Sequence, residues 1–477
     1  MWHRILLFSK ENRAVVISLC VLFMNLVFLS SCAHYTVNAP VESLEDGLQE
    51  QKISISSPER SDELLLVLTF SGGGTRAAAL AYGVLEALDK VKIPGSKNSL
   101  STSGVQKIHS ILDEVDLISS VSGGSFTAAY YGLHQKRIFK DFKKRFLIHN
   151  IERALFLRLL SPVNWFRLAS SHFSTSDLAA EYYDQILFNG ATLEDLFDQS
   201  RPFIQIQATD MVDGYPFEFT PPILNMICSD LASIPVARAV AASAAFPGLF
   251  SPIVLKNYAG KCGFIESPWV SKVMREREIT SREFHAAMRL RTYGDSVKKP
   301  FFYLLDGGIA DNLGIRGPLE IIAATSLKRS FEELGLHKTR HAVFIVVNAE
   351  TTTSTESTLQ GKIPGIGQAI GATSSIMVKS INDDTMELFR RYLREWSMEA
   401  KRMKGKDSPI DFHLIEVGFN ALQNDEARSY FSSIPTKLTL PEETVDRLRE
   451  VAGHILYDSE DFQRLIRALG GSIPTGH

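Results

Sequence analysis

Residues 63–70 (ELLLVLTF) form an almost unbroken apolar run that ends directly in Ser71-Gly72-Gly73-Gly74-Thr75-Arg76. A run without polar alternation fits a strand buried on both faces, as in a parallel sheet covered by helices. Three glycines then allow a sharp turn that presents backbone N–H groups. Beyond them Leu80, Val84, Leu85 and Leu88 recur at helical spacing. Strand, glycine turn and helix in direct succession commit this part of the chain to an α/β architecture.

The rest of the chain repeats that alternation. Strands are predicted at Asp116–Val121, Phe203–Ala208, Phe301–Leu305, Val343–Val347 and Phe412–Val417. Helical patterns cover Ser125–Leu133, Asp177–Leu187, Ala237–Ala245 and Pro318–Leu334, and Pro441-Glu442-Glu443 opens a last amphipathic helix. The 477 residues are 45% hydrophobic and 22% charged, with 51 Lys and Arg against 54 Asp and Glu, which excludes a disordered chain and a basic nucleic-acid binder. Four scattered Cys and twelve dispersed His, with no H-E-x-x-H, give no metal pattern, so the reading is chemistry without metal or cofactor.

The N-terminus bears on location. Arg4, Lys10 and Arg13 precede the apolar run Ala14–Leu29, which is shorter than the roughly 20 residues a spanning helix needs. It closes in Leu29-Ser30-Ser31-Cys32, which resembles the lipobox of bacterial lipoproteins. That resemblance implies a signal peptide over 1–31, acylation of Cys32, and anchoring in the bacterial cell envelope; the plain alternative is an uncleaved anchor helix. Ala33 lacks the Asp that favours inner-membrane retention, so the outer membrane is expected. Residues 32–61 read as a polar spacer. Cys228 and Cys262 suit either a disulfide or two buried thiols in such a compartment.

Three short motifs carry the chemistry. The first is the glycine loop, which ends in Thr75-Arg76-Ala77 where a nucleotide-binding loop needs Gly-Lys-Ser/Thr. Its N–H groups suit an oxyanion as well as a phosphate, and Arg76 suits buttressing the loop, meeting a lipid phosphate, or a place on the surface. The second is Ser120-Val121-Ser122-Gly123-Gly124, a serine flanked by small residues between strand and helix, as in a nucleophile elbow. Its plain alternative is a helix-capping serine. The third is Asp306-Gly307-Gly308 at the tip of an apolar run, where open α/β sheets place their sites. There the plain alternative is a turn residue.

In this order the motifs resemble those of the patatin-like phospholipases, and the stretches 239–252 (AVAASAAFPGLFSP) and Ala310-Asp311-Asn312 strengthen the resemblance. Ser120 and Ala77 depart from it, both being glycine in the usual pattern. The resemblance implies a three-layer α/β fold with a mainly parallel central sheet. Its site would lie at the C-terminal ends of strands, with catalysis by a Ser–Asp dyad. Ser122 would be the nucleophile and Asp306 the base, with Gly72, Gly73 and Gly74 forming the oxyanion hole and Arg76, Gly124, Gly307 and Gly308 in support. The catalytic core would span 62–320, with 321–477 an α/β extension packed on it. The expected activity is serine acyl hydrolysis of phospholipid or other acyl-ester substrates.

Alternatives sharing these residues are acyl transfer from the same acyl-enzyme, a non-catalytic lipid-binding lipoprotein, and a triad recruiting His341 or His413 in the order Ser…Asp…His. One further stretch invites a membrane reading. Lys136, Arg137, Lys140, Lys143, Lys144 and Arg145 interleave with Ile138, Phe139, Phe142 and Phe146, and Leu155, Phe156, Leu159, Leu160 and Trp165 follow. This pattern fits a core helix with solvated lysines, a helix lying on anionic lipid, or a cap over the site; the core helix is the expectation adopted.

Overall fold

The structure is a computed structural model that describes residues 38–44, 61–95, 108–170, 173–198, 202–323, 338–351, 366–404 and 410–474. The expected signal peptide and Cys32 lie outside the described residues, as does the end of the helix expected over Pro318–Leu334.

Among the described residues ten strands form: β1 (Leu64–Phe70), β2 (Lys92–Pro94), β3 (Ile108–Ser110), β4 (Val115–Val121), β5 (Phe203–Asp210), β6 (Pro216–Phe219), β7 (Ile253–Lys256), β8 (Phe301–Asp306), β9 (His341–Asn348) and β10 (Asp411–Gly418). Eight of them make the central sheet, in the order β10-β9-β1-β4-β5-β8-β7 with β6 also on β5, while β2 and β3 form a separate hairpin. The block β10-β9-β1-β4-β5 is parallel. The pairs β5–β8, β5–β6 and β7–β8 are antiparallel. A mainly parallel sheet is therefore present, but the strand that ends in Asp306 runs against it.

Alternation along β1 sorts the layers. Leu64, Leu66, Leu68 and Phe70 face one apolar core, and Leu65 and Val67 face another. The first core packs against helices α1 (Gly74–Lys90), α2 (Gly123–His134), α3 (Ile151–Leu159), α5 (Thr175–Tyr183), α6 (Val236–Ser243) and α9 (Glu442–Asp458), with α4 (Pro162–Leu168) between α3 and α5. The second lies under Leu313–Leu319, where α7 (Arg316–Ala323) begins, and under α8 (Ile366–Lys404). Each fully buried aliphatic side chain in such layers contributes roughly 1.5–3 kcal/mol. β9 hydrogen-bonds onto β1 and β10 onto β9 within the same sheet, so the segment after residue 320 completes the sheet as well as covering it.

Two expectations need correcting. Residues 38–44, placed by sequence in a polar spacer, are docked on the domain. The Asn38 amide bonds Ser229 Oγ at 2.8 Å and the Lys256 carbonyl at 2.9 Å, and Leu44 packs with Cys228, Tyr258 and Cys262. The cause is local: Asn38 satisfies both backbone groups of Lys256, and Leu44 has an apolar niche to fill. Of the lysines of residues 136–145, Lys140 and Lys144 are exposed as expected, but Lys136 and Lys143 are held in ion pairs. Ile138, Phe142 and Phe146 are buried as a core helix requires, while Lys136 pairs with Asp89 and Asp113 and Lys143 with Glu442 and Asp446. That stretch clips α1 and α9 together.

Cys228 and Cys262 are joined by a disulfide across a separation of 34 residues, beside the docked segment. Closing a loop of that length is worth ~3–4 kcal/mol in the chain-entropy account. Replacing both Cys by Ser should lower urea-unfolding stability by about that amount, and dithiothreitol should bring the unmutated protein to the same midpoint. A midpoint indifferent to both treatments contradicts the assignment.

Candidate active site

β5 explains why a serine and an aspartate so far apart in sequence meet. On one edge it pairs with β4 along Phe203–Gln207 and with β8 along Ala208–Asp210, because β6 occupies the opposite edge over Ile206–Thr209. β4 and β8 run in opposite directions along that shared edge and converge tip to tip. Val121 pairs with Gln207 and Asp306 with the next residue, Ala208. Ser122 and Asp306 are the two converging tips.

Ser122 sits at φ 50°, ψ −119°, outside the regions open to most L-residues, which turns its side chain away from the helix that follows. It does not cap α2; its Oγ donates instead to Asp306 Oδ2 at 2.8 Å. The helix-cap alternative is thereby excluded. The Ser122 N–H donates to Ser243 Oγ at 2.8 Å, and Ser243 passes its own proton to the Gln207 carbonyl at 2.5 Å. Since that hydroxyl has a single hydrogen, Ser125 must be the donor in its 2.9 Å contact with Ser243. Ser243 belongs to the 239–252 stretch noted above, yet nothing in the sequence marks it as the clamp on the strained serine.

Asp306 is buried and accepts from the Gly308 N–H at 2.8 Å on its other oxygen, so it makes the turn contact as well as the serine contact. Its backbone is held by Thr209 Oγ1, which donates to its carbonyl at 2.8 Å, and by its own N–H on the Ala245 carbonyl at 3.0 Å. Burial pushes the Asp306 carboxyl up to about 6, and the bonds from Ser122 and Gly308 restrain the rise.

The glycine loop lies directly against the serine turn. A Cβ on Gly123 would stand 2.0 Å from the Gly74 carbonyl oxygen, so only glycine permits this approach. Gly73, at φ 138°, turns the chain into α1. The Gly72 N–H donates to the Asn312 carbonyl at 3.0 Å, which removes it from the expected oxyanion donors; a main-chain acceptor from the segment after Asp306 has claimed it. The N–H groups of Gly73 and Gly74 meet no acceptor among the described residues. Thr75 N–H bonds the Lys437 carbonyl at 2.9 Å, so the C-terminal segment helps shape the loop.

Arg76 is a buttress. It is buried and donates to the carbonyls of Ala349 at 2.8 Å and Ile434 at 2.5 Å and to Thr436 Oγ1 at 3.1 Å, which rules out the surface and lipid-phosphate readings. Burial lowers its guanidinium to about 10. Gly124 lets α2 pack on Phe70 and Ser71, and Gly307 lies against the Gln207 carbonyl with its N–H on Ser243 O. Ser120, in a position usually glycine, fits because its hydroxyl bonds the Gln205 carbonyl of β5 at 3.1 Å. Ala77, the other departure, is buried against Gly73.

His341 and His413 lie elsewhere. His341 is level with Leu64 at the start of β1, whereas Ser120 is level with Phe70 at its end. Six residues of strand separate these levels, about 20 Å. The two histidines contact each other at 3.4 Å at the opposite end of the sheet. The triad alternative has no geometric basis. Among the described residues no cluster of His, Cys, Asp or Glu is arranged to hold a metal ion.

The charge state of Asp306 carries a stability signature. Its native value of about 6 exceeds the ordinary carboxyl value of 3.8, so the native state binds this proton more tightly than the unfolded chain. Stability from this group is complete below about pH 4 and is lost as pH rises through about 6, a change of roughly 3 kcal/mol. Asp306→Asn stays neutral throughout and should therefore gain on the unmutated protein between pH 4 and pH 8 in urea unfolding. A difference that does not vary with pH contradicts the assignment.

Residues 68–319 match the protein family described as Patatin-like phospholipase. Comparison with curated protein sequences gives no match. Among solved structures, the chain is similar to human GIVD cytosolic phospholipase A2, with a TM-score of 0.38 at 12% identity over 91% of this chain and 68% of that one. It is also similar to VipD from Legionella pneumophila, with a TM-score of 0.28 at 14% identity over 83% of this chain and 68% of that one.

Proposed function

This chain belongs to the patatin-like phospholipase family, and from that premise we propose that it cleaves fatty-acyl esters of membrane phospholipids through an acyl-enzyme on Ser122. The observation that carries the reading is the 2.8 Å bond from Ser122 Oγ to a buried Asp306, made by a serine held at positive φ. A serine serving only as a helix cap would not be turned toward a carboxylate in this way.

In the proposed first step Ser122 Oγ attacks the ester carbonyl carbon as Asp306 Oδ2 takes its proton. The carbonyl oxygen becomes an oxyanion and accepts from the N–H groups of Gly73 and Gly74, each donor being worth ~3 kcal/mol in comparable sites. Collapse expels the alkoxide, to which Asp306 returns the proton, leaving an acyl group on Ser122. Water then repeats the sequence: Asp306 takes its proton, the hydroxide attacks the acyl carbon, and Ser122 leaves reprotonated with release of fatty acid.

Desolvation supports the assignment of Asp306 as base. A carboxylate in water is too weak a base for a serine hydroxyl, and raising the group to about 6 strengthens it while leaving it ionised at neutral pH. It also argues against a non-catalytic binding protein, which has no use for a carboxylate held out of water. Acyl transfer differs only in the alcohol that accepts the acyl group. We place the protein in the cell envelope, acylated at Cys32.

Ser122→Ala and Asp306→Asn should each lower ester hydrolysis ~10³-fold or more, with the double variant little worse because the two act as a unit. His341→Ala and His413→Ala should retain most activity. kcat/KM should fall as pH drops through about 6, where Asp306 gains its proton. Sustained turnover by Ser122→Ala, or an acid limb that persists unchanged in the residual activity of Asp306→Asn, contradicts the mechanism.

A further inference from the structure

The helical hairpin α3–α4 leaves much of its apolar surface uncovered. Phe156, Leu157, Leu160, Val163 and Trp165 are all more than half exposed, whereas Ile151 and Leu155 face the core. An exposed contiguous apolar patch marks an interaction surface. Of its three arginines, Arg167 is paired with Glu181 and Arg158 with Gln185 over the Tyr182 ring, while Arg153 is exposed.

Both ends of the hairpin are fastened toward the strand ends that carry Ser122 and Asp306. At the start, Glu152 accepts from the Leu438 N–H at 3.0 Å, next to Lys437, whose carbonyl holds Thr75 of the glycine loop. At the far end the chain passes into α5, where Thr175 and Ser176 bond Ser251, just before β7. The hairpin thus spans the rim of the site. Trp165 is oriented by its indole N–H on the Leu159 carbonyl at 2.6 Å, which leaves the ring outward.

We infer that α3–α4 is the surface by which this protein docks on a phospholipid bilayer, with Trp165 and its apolar neighbours inserted at the headgroup level and Arg153 at their border facing lipid phosphates. An exposed tryptophan among exposed aliphatic side chains suits that interface, where the apolar groups bury into the acyl boundary and the indole sits at the headgroup level. The inference rests on the lipid-hydrolase reading and adds how the substrate layer is held at the site. The docked N-terminal segment is consistent with it. Asn38 is fastened to Lys256, on the carboxyl side of β5, and lies six positions after Cys32, a reach of at most ~20 Å. A bilayer anchored by Cys32 therefore faces the same side as the hairpin.

The test uses the full protein purified from membranes and reconstituted in vesicles of equal phosphatidylcholine and phosphatidylglycerol. Doxyl-labelled lipid should quench its tryptophan fluorescence, and Trp165→Phe should remove at least half of that quenching. Leu157→Gln, Leu160→Gln and Val163→Gln together should lower vesicle phospholipid hydrolysis at least fivefold and leave hydrolysis of a monodisperse short-chain ester within twofold. Quenching unchanged in Trp165→Phe overturns the inference, as does equal loss on both substrates. A dimer in vesicle-free detergent solution that the triple variant dissociates also overturns it, by assigning the face to a second copy. If the unmutated protein hydrolyses neither substrate, the catalytic reading fails, and the quenching result alone decides the docking surface.

Discussion

A carboxyl group held out of water against a serine hydroxyl is a costly arrangement, because desolvation penalises its ionised form and its partner is uncharged. Much of the surrounding structure maintains it. β5 lends one edge to two strands whose tips converge, and Ser243 and Thr209 fasten the backbone on the two sides of the meeting. Relax the edge and Asp306 would find water; its raised proton affinity and its contact with Ser122 would go together.

The glycine loop adds the second half of the same constraint. It approaches Ser122 closely only because Gly123 has no side chain, and it is braced from behind by Arg76. The brace reaches Ala349, Ile434 and Thr436, and Lys437 holds Thr75. Residues far beyond the family-matched 68–319 therefore shape the loop that faces the serine. A fragment ending near residue 320 would lack β9 and β10 and this brace as well.

Much of this was legible in the sequence, for physical reasons. β1 is apolar on both faces, β4 carries an apolar majority, and glycines or small residues follow each tip, so the strand–turn–helix units and the position of Ser122 stand out, as does Asp306 at the end of the apolar run of β8. The direction of β8 was not legible, because a five-residue apolar run reads the same in a parallel or antiparallel pair. Neither β6 nor β7, at four residues each, has the length to show a period. Arg76 was ambiguous because its acceptors are backbone carbonyls 273 and 358 residues away, and backbone acceptors leave no mark in sequence. The same applies to Gly72, whose N–H is taken by a carbonyl at Asn312, and to the 38–44 segment, whose polar composition suggests a spacer but whose Asn38 fits Lys256.

The central claim is that Ser122 is the nucleophile, activated by Asp306 without histidine. Its most direct test is covalent: treatment with a lipid-like fluorophosphonate, followed by peptide mass mapping of the adduct. The account predicts stoichiometric phosphonylation at Ser122 and a much slower reaction in Asp306→Asn, where the proton acceptor is gone. An adduct at any other residue, or undiminished labelling of Ser122 in Asp306→Asn, would contradict it.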